Sequence, residues 1–194
     1  LTLGVVDGFN SGIGGGCFML IHKPDGTFVA IDGRETAPLN ASRDMFLRND
    51  KADPKLSRTG ALAIGVPGAL AAYDFATREH GNIDLAEHLG QAATIAEEGF
   101  ALDKAYLRRL GQAVEKLRQF PDSARIFLDP DGNAWPSGHQ LKQPDLARSY
   151  RKIARHTADW FYRGPFALKT EKWMRSNGGL ITRTDLAAYK TRRR

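Results

Sequence analysis

The hydrophobic residues at the start of the chain fall in short, β-rich runs. Within residues 1–36, apolar runs at Leu3–Val6, Cys17–His22 and Thr27–Ile31 predict strands. The turn Lys23–Gly26 joins the last two runs. Its proline presets φ and its glycine accepts positive φ, so these two runs are predicted to form a β-hairpin. The first hairpin strand is continuously apolar, which predicts burial on both faces.

The later part of the chain has apolar residues at helical spacing, and residues 67–189 are predicted to be mainly helical. Pro67 suits the first turn of a helix that ends near His80. Asp84 and Asp103 are typical capping residues for the next two helices.

Residues 120–142 are rich in proline, glycine and aspartate and predict turns. A helix is predicted to begin after Pro144, with an apolar stripe that extends to Trp160. Further helices are predicted over Pro165–Ser176 and Thr182–Tyr189, and the last has a capping-box sequence at its start.

The predicted elements are unbalanced, since two or three strands precede about six helices. A hairpin of this size cannot be the whole sheet of a stable domain. Its apolar faces need further strands and a second helical layer. The pattern therefore predicts an α+β chain whose remaining fold lies outside residues 1–194.

Composition and charge narrow the class of protein. The 194 residues are 42% hydrophobic and 26% charged, as in a globular domain, and no apolar run approaches the roughly 20 residues of a membrane helix. The net charge of +6 could indicate a nucleic-acid partner. However, Lys190 and Arg192–Arg194 contribute +4 of this charge, which leaves only +2 for the rest of the chain. We interpret these residues as a solvated tail and predict no nucleic-acid partner and no membrane segment.

Motifs for common cofactors are absent. The glycine-rich stretch Ser11–Gly16 lacks the G-x-G-x-x-G spacing and precedes a strand, so it predicts close backbone packing rather than phosphate binding. The 5 histidines show no metal-ligand spacing, and the single Cys17 lies in an apolar run typical of a buried thiol. We therefore predict no metal and no cofactor.

The most informative stretch is Ala30–Pro38, where a predicted strand ends in Arg34 and Glu35. Loops at strand ends commonly carry binding groups. Two interpretations are open from these residues alone. Arg34 and Glu35 form either a surface or structural ion pair, which is favoured, or part of a binding site.

Four stretches of the sequence occur together, in order, in one known family. They are SGIGGGCFML at Ser11–Leu20, IDGRETAPLNASRDMF at Ile31–Phe46, GVPGA at Gly65–Ala69 and NGGLITRTDLAAY at Asn177–Tyr189. In this combination the chain resembles γ-glutamyltranspeptidases.

The resemblance implies an N-terminal-nucleophile hydrolase with an αββα sandwich. Residues 1–194 would form a partial large-subunit domain, with sheet strands in 1–36 and mainly helices in 67–189. The remainder of the large subunit and the whole small subunit would lie outside this chain.

The resemblance also implies an activity. In this family a precursor cuts itself, and the new N-terminal threonine of the small subunit attacks the γ-carbonyl of glutathione or a related compound. The γ-glutamyl group then passes to water or to an amino acid. That threonine lies outside residues 1–194, so no catalytic residue is expected here and the isolated chain is expected to be inactive. The expected partners are the small subunit and γ-glutamyl small molecules, and the expected location is periplasmic or extracellular.

One residue of the family's substrate site matches this sequence. The arginine of the family's R-E-T-A-P stretch is Arg34, which the resemblance implies binds the donor's α-carboxylate. A guanidinium suits this role because it can hold a carboxylate through two parallel bonds. Glu35 is expected to orient Arg34 or to line the donor pocket. Gly33 stands where the family often has a bulky aromatic residue, so the exact substrate stays open.

Two further interpretations stay open. Cephalosporin and glutaryl acylases are relatives with the same fold, and an arginine could also hold the terminal carboxylate of their substrates. A chain without its nucleophile could instead be a non-catalytic binding or scaffold piece.

Overall fold

The computed structural model describes residues 1–194, which divide into two compact units. Unit 1 consists of Leu1–Gly12 and Ala86–Arg151, and unit 2 consists of Ile13–Leu85 and Lys152–Arg194. In chain order the elements are α1 (Leu3–Val6), β1 (Cys17–His22), β2 (Phe28–Gly33), β3 (Leu47–Arg48), β4 (Lys51–Ala52), a 3-10 turn (Ala61–Ala63), α2 (Ala69–His80), α3 (Leu85–Glu98), β5 (Phe100–Ala101), α4 (Lys104–Leu117), α5 (Pro121–Phe127), β6 (Gln140–Leu141), α6 (Pro144–His156), α7 (Asp159–Tyr162), α8 (Pro165–Ser176), α9 (Arg183–Ala188) and β7 (Arg192–Arg193). No helix is both long enough and apolar enough to cross a membrane.

The predicted hairpin is present in unit 2. Strands β1 and β2 pair antiparallel along their whole length. The connecting turn contains Gly26 with a φ of 83°, a conformation that glycine adopts without a steric penalty. The Gly26 N–H donates to the Lys23 carbonyl at 3.0 Å, which closes the turn. Local turn chemistry was therefore sufficient to predict this element.

The third strand of this sheet comes from the other end of the chain. Strand β7 pairs antiparallel with β2, giving the order β1-β2-β7. The backbone N–H of Arg194 donates to the Ala30 carbonyl at 2.9 Å and continues the pairing. The basic side chains are exposed, as predicted, but the prediction of a free tail was wrong, because the backbone of these residues pairs with β2.

One face of the sheet is covered and the other is exposed. On the inner face, Val29 and Ile31 are buried against Ala72 of α2. The outer apolar face consists of three large exposed side chains, Phe18 at 67%, Leu20 at 70% and Phe28 at 64%. The prediction that β1 is buried on both faces is therefore wrong within this chain, where its residues alternate as a strand with one covered face does.

The helices of unit 2 begin and end close to their predicted residues. Helix α2 starts at Ala69, two residues after Pro67, with Gly68 at its N-cap. Helix α8 has a proline in its first turn and spans the predicted range. Helix α9 has the predicted capping box, in which Thr182 and Asp185 bond to each other's backbone N–H groups. The predicted stripe to Trp160 is interrupted after α6, where Thr157 has a φ of 61°.

Unit 1 contains one element that was predicted wrongly and three that were missed, namely helix α5 and the short strands β5 and β6. Leu3–Val6 forms the short helix α1 rather than a strand, because a run of four residues is too short to show either periodicity. Helix α5 lies inside the turn-rich stretch, with Pro121 in its first turn. The predicted cap at Asp103 is confirmed: its side chain accepts a hydrogen bond from the Tyr106 N–H at 2.7 Å at the start of α4.

Candidate substrate-binding site

Arg34 and Glu35 follow directly after β2, where the chain leaves the sheet. Arg34 Nη1 lies 3.1 Å from Glu35 Oε2, and the two side chains are 66% and 28% exposed. Most of the Arg34 side-chain surface is therefore open, and the side chain is able to contact an anion. The ion pair that local physics favoured is present, and it leaves this surface free.

The main chain of Arg34 is held on both sides by side chains. The Arg34 N–H donates to Asp32 Oδ1 at 3.0 Å, and the Tyr189 hydroxyl donates to the Arg34 carbonyl at 2.8 Å. Beyond Glu35, Thr36 and Val66 exchange two backbone hydrogen bonds, at 3.2 Å and 2.8 Å. The exposed side chain of Arg34 is therefore attached to a main chain that hydrogen bonds hold on both sides of it.

Asp32 links this loop to the third strand. Its side chain is largely buried, and Oδ2 accepts two hydrogen bonds from Arg194, at 2.9 Å from Nε and 2.7 Å from Nη2. The Arg34 N–H, followed by the Arg194 guanidinium, lowers the pKa of Asp32 below its ordinary value. Asp32 is therefore a carboxylate at neutral pH.

Tyr189 is supported by a second tyrosine. The rings of Tyr162 and Tyr189 stack with centroids 5.9 Å apart and an interplanar angle of 12°. The Tyr162 hydroxyl donates to the Pro67 carbonyl at 3.0 Å and accepts from the Ala71 N–H at 3.1 Å. Burial, with a further contribution from Asp32, raises the pKa of Tyr189 to about 12, so its hydroxyl keeps the proton that it donates to Arg34.

Glycines surround the loop because there is no room for side chains. A Cβ on Gly16 would lie 2.5 Å from Glu35 Oε2 and 2.8 Å from the Gly33 carbonyl oxygen. A Cβ on Gly33 would lie 2.5 Å from the Cβ of Ala72, and one on Gly68 would overlap the Tyr189 hydroxyl. These three glycines allow α2 and the glycine-rich stretch to approach the end of β2.

The prediction of close packing for the glycine-rich stretch holds for only part of it. The Gly15 carbonyl accepts hydrogen bonds from Gly68 and Ala69 at the start of α2, both at 2.9 Å. In contrast, a Cβ on Gly12 or Gly14 would meet nothing within 4 Å. The close packing against α2 is therefore confined to the end of the stretch that adjoins β1.

Asp185 connects helix α9 to the segment after the loop. It is buried, and Oδ1 accepts a hydrogen bond from the Leu39 N–H at 2.7 Å. A cavity of about 590 Å³ lies in this region, and its lining includes Thr36, Leu39, Asp185, Tyr189 and Arg192. Two stretches of the sequence resemblance, one near each end of the chain, therefore meet here.

The remaining candidate residues are not part of this binding geometry. Cys17 is half-buried, and burial, followed by the nearby charge of Glu35, raises the pKa of its thiol. No group of three histidine, cysteine, aspartate or glutamate residues is arranged to hold a metal ion.

Three residues of the site were missed by the reasoning from sequence. Asp32 and Tyr189 lie inside the stretches that carry the resemblance, so their position was a usable signal. Arg194 had no such signal, because its contact with Asp32 joins residues 162 positions apart.

Comparison with solved structures identifies the class of fold. The structure matches the γ-glutamyltranspeptidase of Helicobacter pylori with a TM-score of 0.96 and 36% identity, over 100% of this chain and 56% of that one. It also matches a cephalosporin acylase from Bacillus halodurans with a TM-score of 0.88 and 25% identity, over 98% of this chain and 36% of that one. The chain is part of an N-terminal-nucleophile hydrolase fold, as the resemblance implied.

Sequence comparison then identifies the family. The family model described as gamma-glutamyltranspeptidase matches residues 1–194. The glutathione hydrolase proenzyme of Escherichia coli is 38% identical over 180 residues, which are 92% of this chain and 31% of that protein. The chain belongs to the γ-glutamyltranspeptidase family, and it spans about a third of the length of the curated relatives it matches.

The Asp185 carboxylate predicts a pH dependence of stability. Burial alone raises the pKa of Asp185, but hydrogen bonds from Leu39 and Thr182 outweigh it, so the folded pKa is lowered. Its contribution is therefore present above the ordinary value of about 3.9 and is lost as pH falls through the lowered folded pKa. We expect Asp185→Asn to reduce the free energy of unfolding of the complete protein at about pH 6, and to reduce it by less at about pH 3, where protonation of the carboxylate has begun to remove the contribution of the charge.

Denaturant unfolding at the two pH values measures this difference. Asp131→Asn removes an exposed carboxylate and serves as the control, with little effect at either pH. A loss for Asp185→Asn that is equal at both pH values would contradict a role for the charge of Asp185.

Proposed function

We propose that the complete protein hydrolyses and transfers γ-glutamyl groups of glutathione or related compounds, and that Arg34 binds the donor's α-carboxylate. The observation that carries the proposal is the exposed guanidinium of Arg34 on a backbone held by Asp32 and Tyr189. Membership of the γ-glutamyltranspeptidase family supplies the reaction class.

The charge and shape of Arg34 suit a carboxylate ligand. A guanidinium is permanently charged and presents parallel N–H donors that match the two oxygens of a carboxylate. Glu35 contacts the guanidinium through Nη1, and most of the remaining surface stays open. We assign Glu35 the role of orienting Arg34 at the edge of the donor pocket.

The bond-breaking group belongs to another part of the protein. In our proposal an N-terminal threonine outside this chain attacks the γ-carbonyl, and the γ-glutamyl-enzyme then reacts with water or an amino acid. Residues 1–194 supply binding and no catalytic group. The Escherichia coli relative is named a proenzyme, in keeping with a precursor that yields the small subunit.

The outer apolar face is the proposed contact with that small subunit. Phe18, Leu20 and Phe28 lie on the same face of the sheet and are exposed, and covering a large apolar side chain stabilises an association by about 1.5–3 kcal/mol. We further propose a periplasmic or extracellular location, which rests on the family alone.

An acylase of the same fold is the second candidate. The match to the Bacillus halodurans cephalosporin acylase over 98% of this chain favours it as an alternative. An exposed arginine could hold the carboxylate at the end of a glutaryl group as well as the α-carboxylate of a γ-glutamyl group. The γ-glutamyl and glutaryl groups have the same five-carbon chain with a carboxylate at its end, so the two functions differ in whether the α-amino group is recognised.

Removing the Arg34 side chain tests the proposed contact. We expect Arg34→Ala in the complete protein to raise KM for a γ-glutamyl anilide about thirtyfold, equivalent to about 2 kcal/mol for a charged hydrogen-bonded pair. The effect on kcat should be smaller, because the carboxylate is bound before and during the reaction. Arg43→Ala, which removes another exposed arginine that is paired with Asp44, is the control. An unchanged KM for Arg34→Ala would refute the assignment.

The choice of acyl group separates the two candidate functions. We expect the complete protein to release the aniline from a γ-glutamyl anilide at least ten times more efficiently than from a glutaryl anilide, as judged by kcat/KM. The free aniline gives the same absorbance signal for both substrates, so the comparison is direct. The reverse preference would favour the acylase.

The subunit contact can be tested at Leu20, which lies opposite Ala30 in the sheet. We expect Leu20→Lys in the precursor to weaken association of the two subunits at least tenfold, because a charge replaces an apolar contact. Co-purification of the small subunit with a tagged large subunit measures this. Leu168→Lys changes an exposed leucine outside the outer apolar face and should retain the partner. Equal retention by both variants would place the partner elsewhere.

A further inference from the structure

We propose that Asp32 and Arg194 act as a positioning pair that sets the place of Arg34 and therefore the affinity for the donor carboxylate. The inference rests on the proposed function of Arg34 and extends it to two residues that do not contact the substrate. Four observations support it. The Arg34 side chain is exposed, and two hydrogen bonds hold its main chain. The two oxygens of Asp32 bind different partners, and strand pairing places Arg194 beside Asp32.

The Arg34 side chain is not held in place by packing. It is 66% exposed, and its guanidinium has one ion pair, to the adjacent Glu35. A long exposed side chain retains much rotamer freedom. The region that its guanidinium can reach is therefore set mainly by the position of its own main chain.

Asp32 holds that main chain with one oxygen while the other oxygen is occupied by Arg194. Oδ1 accepts the Arg34 N–H at 3.0 Å, and Oδ2 accepts from Nε and Nη2 of Arg194. Two bonds from one guanidinium restrict rotation of the carboxylate about χ2. This orientation keeps Oδ1 directed at the Arg34 N–H.

Arg194 is brought to this place by strand pairing. Strand β7 aligns Arg192 opposite Asp32, and the Arg194 N–H donates to Ala30 at 2.9 Å. The ion pair therefore connects Arg34 to a strand that lies more than 150 positions later in the sequence. A charge that looked like part of a solvated tail takes part in defining the site.

The expected consequence of breaking the pair is partial. The Tyr189 hydroxyl still holds the Arg34 carbonyl at 2.8 Å, so the loop would pivot and not detach. Displacing the guanidinium should weaken its bonds to a carboxylate, which depend on direction as well as distance. A donor that has no α-carboxylate does not use those bonds and should be unaffected.

The experiment compares two donors in the complete protein. With Arg194→Gln, we expect KM for a γ-glutamyl anilide to rise three- to tenfold while kcat changes less than twofold. We expect kcat/KM for a 4-aminobutyryl anilide, which lacks the α-carboxylate, to stay within twofold. Arg194→Lys should restore part of the affinity, because it keeps the charge and loses the paired geometry.

Arg193→Gln is the matched control. It removes an exposed positive charge from the neighbouring position of β7, and neither its charge nor its side chain takes part in the Asp32 contact. We expect this variant to leave KM for both donors within twofold. An Arg193→Gln effect equal to that of Arg194→Gln would mean a general charge effect and would overturn the proposal.

A double-mutant cycle tests whether the two residues act together. We expect Asp32→Asn to raise KM for the γ-glutamyl anilide by a factor similar to that of Arg194→Gln. The double variant should be no worse than the poorer single variant, as coupled residues behave. Independent, multiplicative effects of the two substitutions would show that Asp32 and Arg194 do not act together. Equal losses of kcat/KM with both donors would show that the pair has only a structural role. Either result would overturn the proposal.

Arg34→Ala, measured in parallel, separates the two proposals. If Arg34→Ala raises KM and the Arg194 and Asp32 variants do not, the positioning pair is wrong and the proposed function stands. If Arg34→Ala leaves KM unchanged, the proposed function itself fails.

Discussion

The close approach of helix α2 to the end of strand β2 is the constraint on which the candidate site depends. Gly33, at the end of the strand, lies so close to Ala72 that a Cβ on Gly33 would be only 2.5 Å from the Cβ of Ala72. Gly68 lies at the start of the helix against Tyr189, again without room for a side chain. Because these backbones approach so closely, the loop that carries Arg34 is enclosed on the protein side and open on the other.

The sheet has one face covered by a helix and one face exposed to solvent. The inner face is closed by α2, while Phe18, Leu20 and Phe28 remain exposed. The chain spans about a third of the length of the curated relatives it matches. The exposed apolar surface and the exposed Arg34 side chain are the two features on which the proposed contacts with the small subunit and the substrate rest.

Elements specified by neighbouring residues were predictable. The hairpin turn at Gly26, the cap at Asp103 and the capping box at Thr182 each depend on groups within a few positions, so their sequence signals were sufficient. The predictions failed where the conformation or burial of a segment depends on residues that are distant in the sequence. Leu3–Val6 is apolar in either a helix or a strand, and the apolar character of β1 does not reveal whether a second layer covers it.

The sequence by itself determined the family and Arg34 as its candidate binding residue, since the matching stretches and their order are properties of the chain alone. Only the tertiary structure decided what holds Arg34. Asp32 lies two positions before Arg34, but its orientation depends on Arg194, and the carbonyl of Arg34 is bound by Tyr189, 155 positions away. Such contacts follow from strand pairing and ring stacking, in which distant segments must already be in place, and no local pattern of residues encodes that arrangement.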